Sequence, residues 1–193
     1  PHLWISYDNV SNFSETIWQD PGIMKFTRED RLPLRTSKHD PISGEFVNGT
    51  ALVRECPNVW GYKVENPKWD ARSFLTSRFP TAGTDRAADD PDGESFNKSV
   101  MFPALRILYD LGIRRLYLLG ADFSMSPDRP YAFDETRDPQ AVKGNNVLFR
   151  WLDRRFTELR PILDAAKFKI WNASAMSDLT AFERGPYKDV VER

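Results

Sequence analysis

The sequence predicts an α/β fold with a mostly parallel sheet, and three observations carry that prediction. The run RLYLLGADF at 115–123 is an apolar strand that ends on a glycine and a carboxylate. Before it, Met101, Ala104, Leu105, Leu108 and Leu111 recur at helical spacing and stop at Gly112. Beyond it, a second helix leads into KFKIWNAS at 167–174. An uninterrupted apolar strand suits a parallel sheet, whose crossover helices hide both faces. Two successive helix–strand units therefore point to a doubly wound architecture. The strand at 115–120 is expected at its centre, flanked by helices at 100–111 and 146–166.

The first half is less regular. Residues 3–7 alternate as a strand, and Asp8-Asn9 would stop it. SETIWQDPGIMKFTRE at 14–29 reads as a short helix, a Pro21-Gly22 turn and a brief strand at Met24–Thr27. Residues 29–50 mix charges with Pro33, Pro41, Gly44 and Gly49, and read as loop with one weak strand near Glu45–Val47. ALVREC and VWGYKVE suggest two short strands about a turn at Cys56-Pro57-Asn58. The most polar stretch, 81–99, reads as a loop that either moves freely or covers a ligand. Ser99 would cap the helix that follows, Pro103 fits its first turn, and Gly112 ends it as a left-handed residue. In the last long helix, Leu148, Trp151, Leu152, Phe156, Leu159 and Leu163 mark one face, with a kink expected at Pro161.

The 193 residues fit a single domain over 1–193, and the start on a bare strand suggests the later part of a longer protein. Lys and Arg total 27 against 28 Asp and Glu, a balance that argues against non-specific nucleic-acid binding. No apolar run has the length of a membrane span, and the first residues lack the plan of a signal peptide. The lone Cys56 allows no internal disulfide and favours a reducing, cytoplasmic setting.

In sheets of this kind ligands lie outside the carboxyl ends of the strands. Two strands here end in polar residues, which makes Asp122, Asn172 and Ser174 candidate site residues. Asn97 and Ser99 join them, because the start of the 100–111 helix presents free amides suited to an anion. Each has an ordinary structural alternative: Asp122 as a turn cap, Asn172 as a partner for loop amides, Ser99 as a helix cap.

The run SVMFPALRILYDLGIRRLYLLGADFSMSPDRPYAFD resembles part of the bacterial lipo-oligosaccharide sialyltransferases. A hydroxyl-led helix, a glycine turn, a YLxGxDF strand and a later YAFD follow in the same order. The LxGxDF signature is shared more widely among Rossmann-like proteins, including archaeal hydroxymethylpterin pyrophosphokinase-like ones. Uncharacterised phage and marine-bacterial proteins with YLLGxDFxM are the most similar overall. The resemblance covers about residues 97–182. It implies a Rossmann-like three-layer sandwich with a mostly parallel sheet lacking its first strand. It also implies a CMP- or UDP-type nucleotide-sugar donor and a glycan acceptor. Ser99 would meet the donor nucleotide, Tyr131 would stabilise the departing phosphate, and Asp122 would orient the site. The sequence departs from the family at Ser124, where a second tyrosine is usual. DPQAVKGNN at 138–146 lacks the family's histidine, and no GxGPSL loop is present.

Remaining features read more plainly. His2 and His39 form no metal-ligand pair, and Cys56 has no catalytic partner motif. DDPDGE at 89–94 lacks the pattern of a calcium loop. FDE at 133–135 reads as turn carboxylates, or as neighbours of which one could serve acid catalysis, and Asn145 and Asn146 as helix caps or substrate amides. Trp60, Trp69 and Trp171 would offer stacking surfaces only if they shared a cleft. The leading reading is a glycosyltransferase-like protein without an identified general base. The alternatives are a phage-associated binding or structural module and a pyrophosphokinase-like enzyme that would need Mg²⁺ held by carboxylates.

Overall fold

A computed structural model describes residues 2–40, 42–63, 69–78, 99–126 and 139–185. Asn97, Tyr131, the carboxylates at 133–135 and the polar loop at 81–98 lie outside the described residues. The chain divides into two compact units, Pro1–Trp69 with Ser77–Ile107, and Asp70–Thr76 with Leu108–Arg193.

In the first unit, β1 (Leu3–Ile5), β2 (Met24–Arg28) and β5 (Val59–Tyr62) form a parallel sheet with β2 in the middle. Helix α1 (Glu15–Gln19) begins at Ser14, whose side chain accepts from Thr16 N. Val10, Trp18, Val53 and Cys56 are buried together, and Trp4 meets Phe13 and Trp18 edge-on at 4.8 and 4.9 Å. Burial pushes the Cys56 thiol up, a shift that the Lys25 charge opposes, so the sulfur is a poor nucleophile at neutral pH.

The stretch expected to be mainly loop instead forms an antiparallel pair, β3 (Arg35–His39) and β4 (Phe46–Leu52). Its residues read as loop because the pair is largely solvated. Only Thr36, Ser37 and Gly49 are buried in it. Gly49 is required there, since a Cβ would run into the Thr36 hydroxyl and lie 2.9 Å from the Thr36 carbonyl oxygen.

Lys25 is fully buried in β2. Its ammonium donates to the carbonyls of Asp20, Ile23 and Pro57 at 2.7, 2.9 and 2.7 Å. Three donors thus meet three acceptors, the condition under which a buried charge is tolerated.

Helix α2 (Met101–Asp110) runs from the first unit into the second. Ser99 Oγ accepts from Met101 N at 3.2 Å, and Phe102, Leu105 and Ile107 are buried, while Leu111 is exposed. Gly112 has φ +85°, with Gly112 N bonded to Tyr109 O and Ile113 N to Leu108 O. This is a Schellman ending.

The second unit holds a parallel sheet in the order β6 (Arg115–Leu118), β7 (Lys169–Asn172), β8 (Glu183–Arg184). Contrary to the expected central strand at 115–120, β6 is an outer strand of this sheet among the described residues, and β7 lies in the middle. The strand also ends early. Leu119 is exposed and Gly120 turns the backbone at φ +67°, so the apolar run outlasts the pairing. Helix α3 (Pro139–Ala165) starts seven residues before the expected 146 and continues through Pro161. Pro139 stands at its first position, where a missing N–H costs nothing. Leu152, Phe156, Leu159 and Leu163 are buried on its inner face, as the spacing predicts. Pairing within both three-stranded sheets is parallel, so the fold is α/β with mostly parallel sheets.

Candidate functional site

The carboxyl ends of β6 and β7 are joined by a dense polar network. Asn172, with no exposed surface, donates from Nδ2 to Ser177 Oγ at 2.9 Å and to Leu179 O at 3.1 Å. Its Oδ1 accepts from Ser174 N at 3.1 Å. Ser174 Oγ accepts from Ala121 N at 2.9 Å, and Ser177 donates to Ala121 O. Arg184, in β8, donates to the carbonyls of Ser174 and Ser177. Asn172 and Ser174 are thus committed to holding the 173–179 turn against the end of β6.

The GADF turn leaves this network in an uncommon conformation. Phe123 has φ +54°, a left-handed value that costs a bulky residue about 1–3 kcal/mol and persists only where surroundings enforce it. They do so from both sides. Asp178 N donates to Asp122 O at 2.7 Å, and the Phe123 ring packs against Phe149 at 5.3 Å and Phe156 at 6.1 Å. Two residues further on, Asn146 grips Met125 reciprocally, accepting from its N–H at 2.8 Å and donating to its carbonyl at 2.9 Å.

Between this turn and α3 lies a cleft of about 420 Å³. Phe123, Met125 and Phe149 give it apolar wall, and Ser124, Asn146, Arg150 and Asp178 give it polar groups. Asp153 also lines it, but its carboxylate accepts from the Thr180 and Ala181 amides at 2.8 Å each and from the Thr180 hydroxyl at 2.6 Å. Arg150 is the exposed cation of the lining. The Asp122 side chain is exposed and is not among the residues lining the cleft.

The candidate residues within the described segments take the following places. Asn172 and Ser174 brace the turn, Asp122 contributes its carbonyl to that brace, and Ser99 caps α2 in the first unit. Asn146, expected to cap a helix, instead lies inside α3 and fixes the turn. Arg150 and Phe149 carried no motif and were not singled out; their i, i+3 and i, i+4 spacing from Asn146 on a helix is the signal that could have found them. Trp69 packs on Phe102, and Trp171 stacks on Tyr117 at 4.8 Å. No three His, Cys, Asp or Glu side chains gather as a metal set among the described residues. No helix among them is long and apolar enough to cross a membrane.

No family model, curated protein or solved structure matches the chain.

Proposed function

We propose that this chain is a Rossmann-like, glycosyltransferase-like protein of the cytoplasm whose second unit binds a CMP- or UDP-type nucleotide sugar, for transfer to a glycan acceptor. One observation carries the reading. An energetically costly left-handed turn, pinned from both sides, opens a cleft with a cation and aromatic walls at the carboxyl end of a parallel strand. Arg150 is suited to a phosphate, and the Phe123 and Phe149 rings to a base or sugar face. Strained backbone of this sort concentrates at ligand sites. The likeness of GADF and YAFD to the sialyltransferases supports the donor class. From it Asp122 takes an orienting role and Tyr131 that of stabilising the departing phosphate.

A second reading, a binding module without turnover, is favoured by the histidines. Both of them, His2 and His39, belong to the first unit, so no imidazole base is available within the second.

Calorimetric titration of CMP, UDP and their sugar conjugates, with and without Mg²⁺, tests the first reading together with donor hydrolysis. Binding should be measurable and should weaken roughly tenfold in Arg150→Gln, the loss of one charge-assisted contact. Equal affinities in wild type and variant, or no binding at all, would overturn the nucleotide site. Binding without hydrolysis would leave the module reading standing.

A further inference from the structure

The first unit has a carboxyl-end cleft of its own. It measures about 220 Å³ and is lined by Arg28, the last residue of β2, by Glu29 and Asp30 after it, and by Tyr62 and Lys63 at the end of β5. These strands are adjacent and parallel, so the cleft occupies the edge at which α/β sheets receive ligands. Tyr62 is buried, and its hydroxyl is spent on Ser6 O at 2.8 Å, which fixes the inner wall. The Arg28 guanidinium stands 5.0 Å over the Tyr7 ring and is forked onto Asp30, with Nε to Oδ1 at 3.0 Å and Nη2 to Oδ2 at 2.8 Å.

Charge decides what such a cleft can take. Arg31 approaches Asp30 at 3.9 Å and Lys63 approaches Glu29 at 3.8 Å, so each carboxylate already has a cation. An anion would have to face both carboxylates, and a cation would have to face Arg28 and Lys63. A neutral molecule rich in hydroxyls meets neither penalty. A carboxylate has about four lone-pair sites and a guanidinium five N–H donors, so these ion pairs can accept and donate further hydrogen bonds without breaking. The volume lies below the ~300–1,000 Å³ of pockets for drug-sized ligands, which suits a single ring.

We infer that this cleft is a binding site for a neutral pyranose, held by the Arg28–Asp30 and Lys63–Glu29 pairs against Tyr62. The site shares no lining residue with the cleft of the second unit, so it does not depend on the nucleotide reading.

Saturation-transfer NMR on the full chain tests it, using methyl glucoside, methyl galactoside and methyl mannoside beside inorganic phosphate and glycine as anionic and zwitterionic probes. At least one pyranoside should receive saturation. Its affinity should fall about tenfold in Asp30→Asn and in Lys63→Gln, with Arg150→Gln leaving it unchanged. Two variants, one following β2 and one following β5, guard against a local folding fault in either. Tighter binding of phosphate or glycine, absence of binding by all three pyranosides, or insensitivity to both cleft variants would overturn the proposal.

Discussion

At residue scale, Asn172 shows how a polar side chain at a strand end can serve the scaffold instead of the ligand. Its amide satisfies one backbone amide, one carbonyl and one hydroxyl while having no exposed surface of its own. Asn172→Leu should leave Ser174 N and Leu179 O without those partners, at a cost of about 2–3 kcal/mol. Ser174→Ala removes only the partner of the half-buried Ala121 N and should cost about 1 kcal/mol. Urea unfolding midpoints of the two variants give the comparison. Equal midpoints would mean that the network is not a buried one. Asn172 and Ser174 were visible in the sequence as polar residues ending a strand. What the sequence hid was the turn at 173–179 that folds back to consume them. Phe123 was hidden for another reason: left-handed backbone is signalled by glycine or asparagine, and a phenylalanine gives no such sign.

At element scale, α2 and α3 end in the same way on different residues. In α2 the left-handed position is Gly112. In α3 it is Lys167, at φ +57°, with Lys167 N bonded to Asp164 O and Phe168 N to Leu163 O. A lysine pays for that conformation where a glycine does not. Lys167→Gly should therefore stabilise the protein by about 0.5–1 kcal/mol, and Gly112→Ala should destabilise it by about 1 kcal/mol. Opposite shifts in the thermal midpoint are expected; shifts of the same sign would contradict the shared motif. Gly112 announced its helix end in the sequence, whereas Lys167 could not. The start of α3 was equally obscure, because Gly144, Asn145 and Asn146 read as a boundary yet lie within the helix. Asn146 is held there by its two bonds to Met125, a tertiary effect that outweighs its modest helix propensity.

At the scale of the whole molecule, the distribution of ionisable groups bounds the chemistry. A positioned general base contributes ~10²–10⁴-fold to rate, and histidine is the usual one. DPQAVKGNN at 138–146 holds no histidine where the resembled enzymes keep theirs, so donor hydrolysis should be slow or undetectable. Robust hydrolysis of a CMP- or UDP-sugar by the full chain would show that another residue supplies the base. The α/β class was legible because helical spacing and apolar runs are local properties. The pairing of β3 with β4 was not, because its apolar residues, such as Phe46 and Val47, are exposed and do not alternate with a buried face, while glycines and prolines punctuate the stretch.

The buried ammonium of β2 is, in coordination terms, a cation delivered on a tether into a cage of three carbonyl oxygens. Its supply never depends on the surrounding electrolyte. Shortening the tether as Lys25→Ala should turn that independence into a requirement. The cage would then be vacant and open to a small monovalent ion, and stability would rise with the concentration of that ion by mass action. Melting of Lys25→Ala in ammonium chloride against sodium chloride would reveal the change as a midpoint that climbs with ammonium, while the unaltered protein stays level.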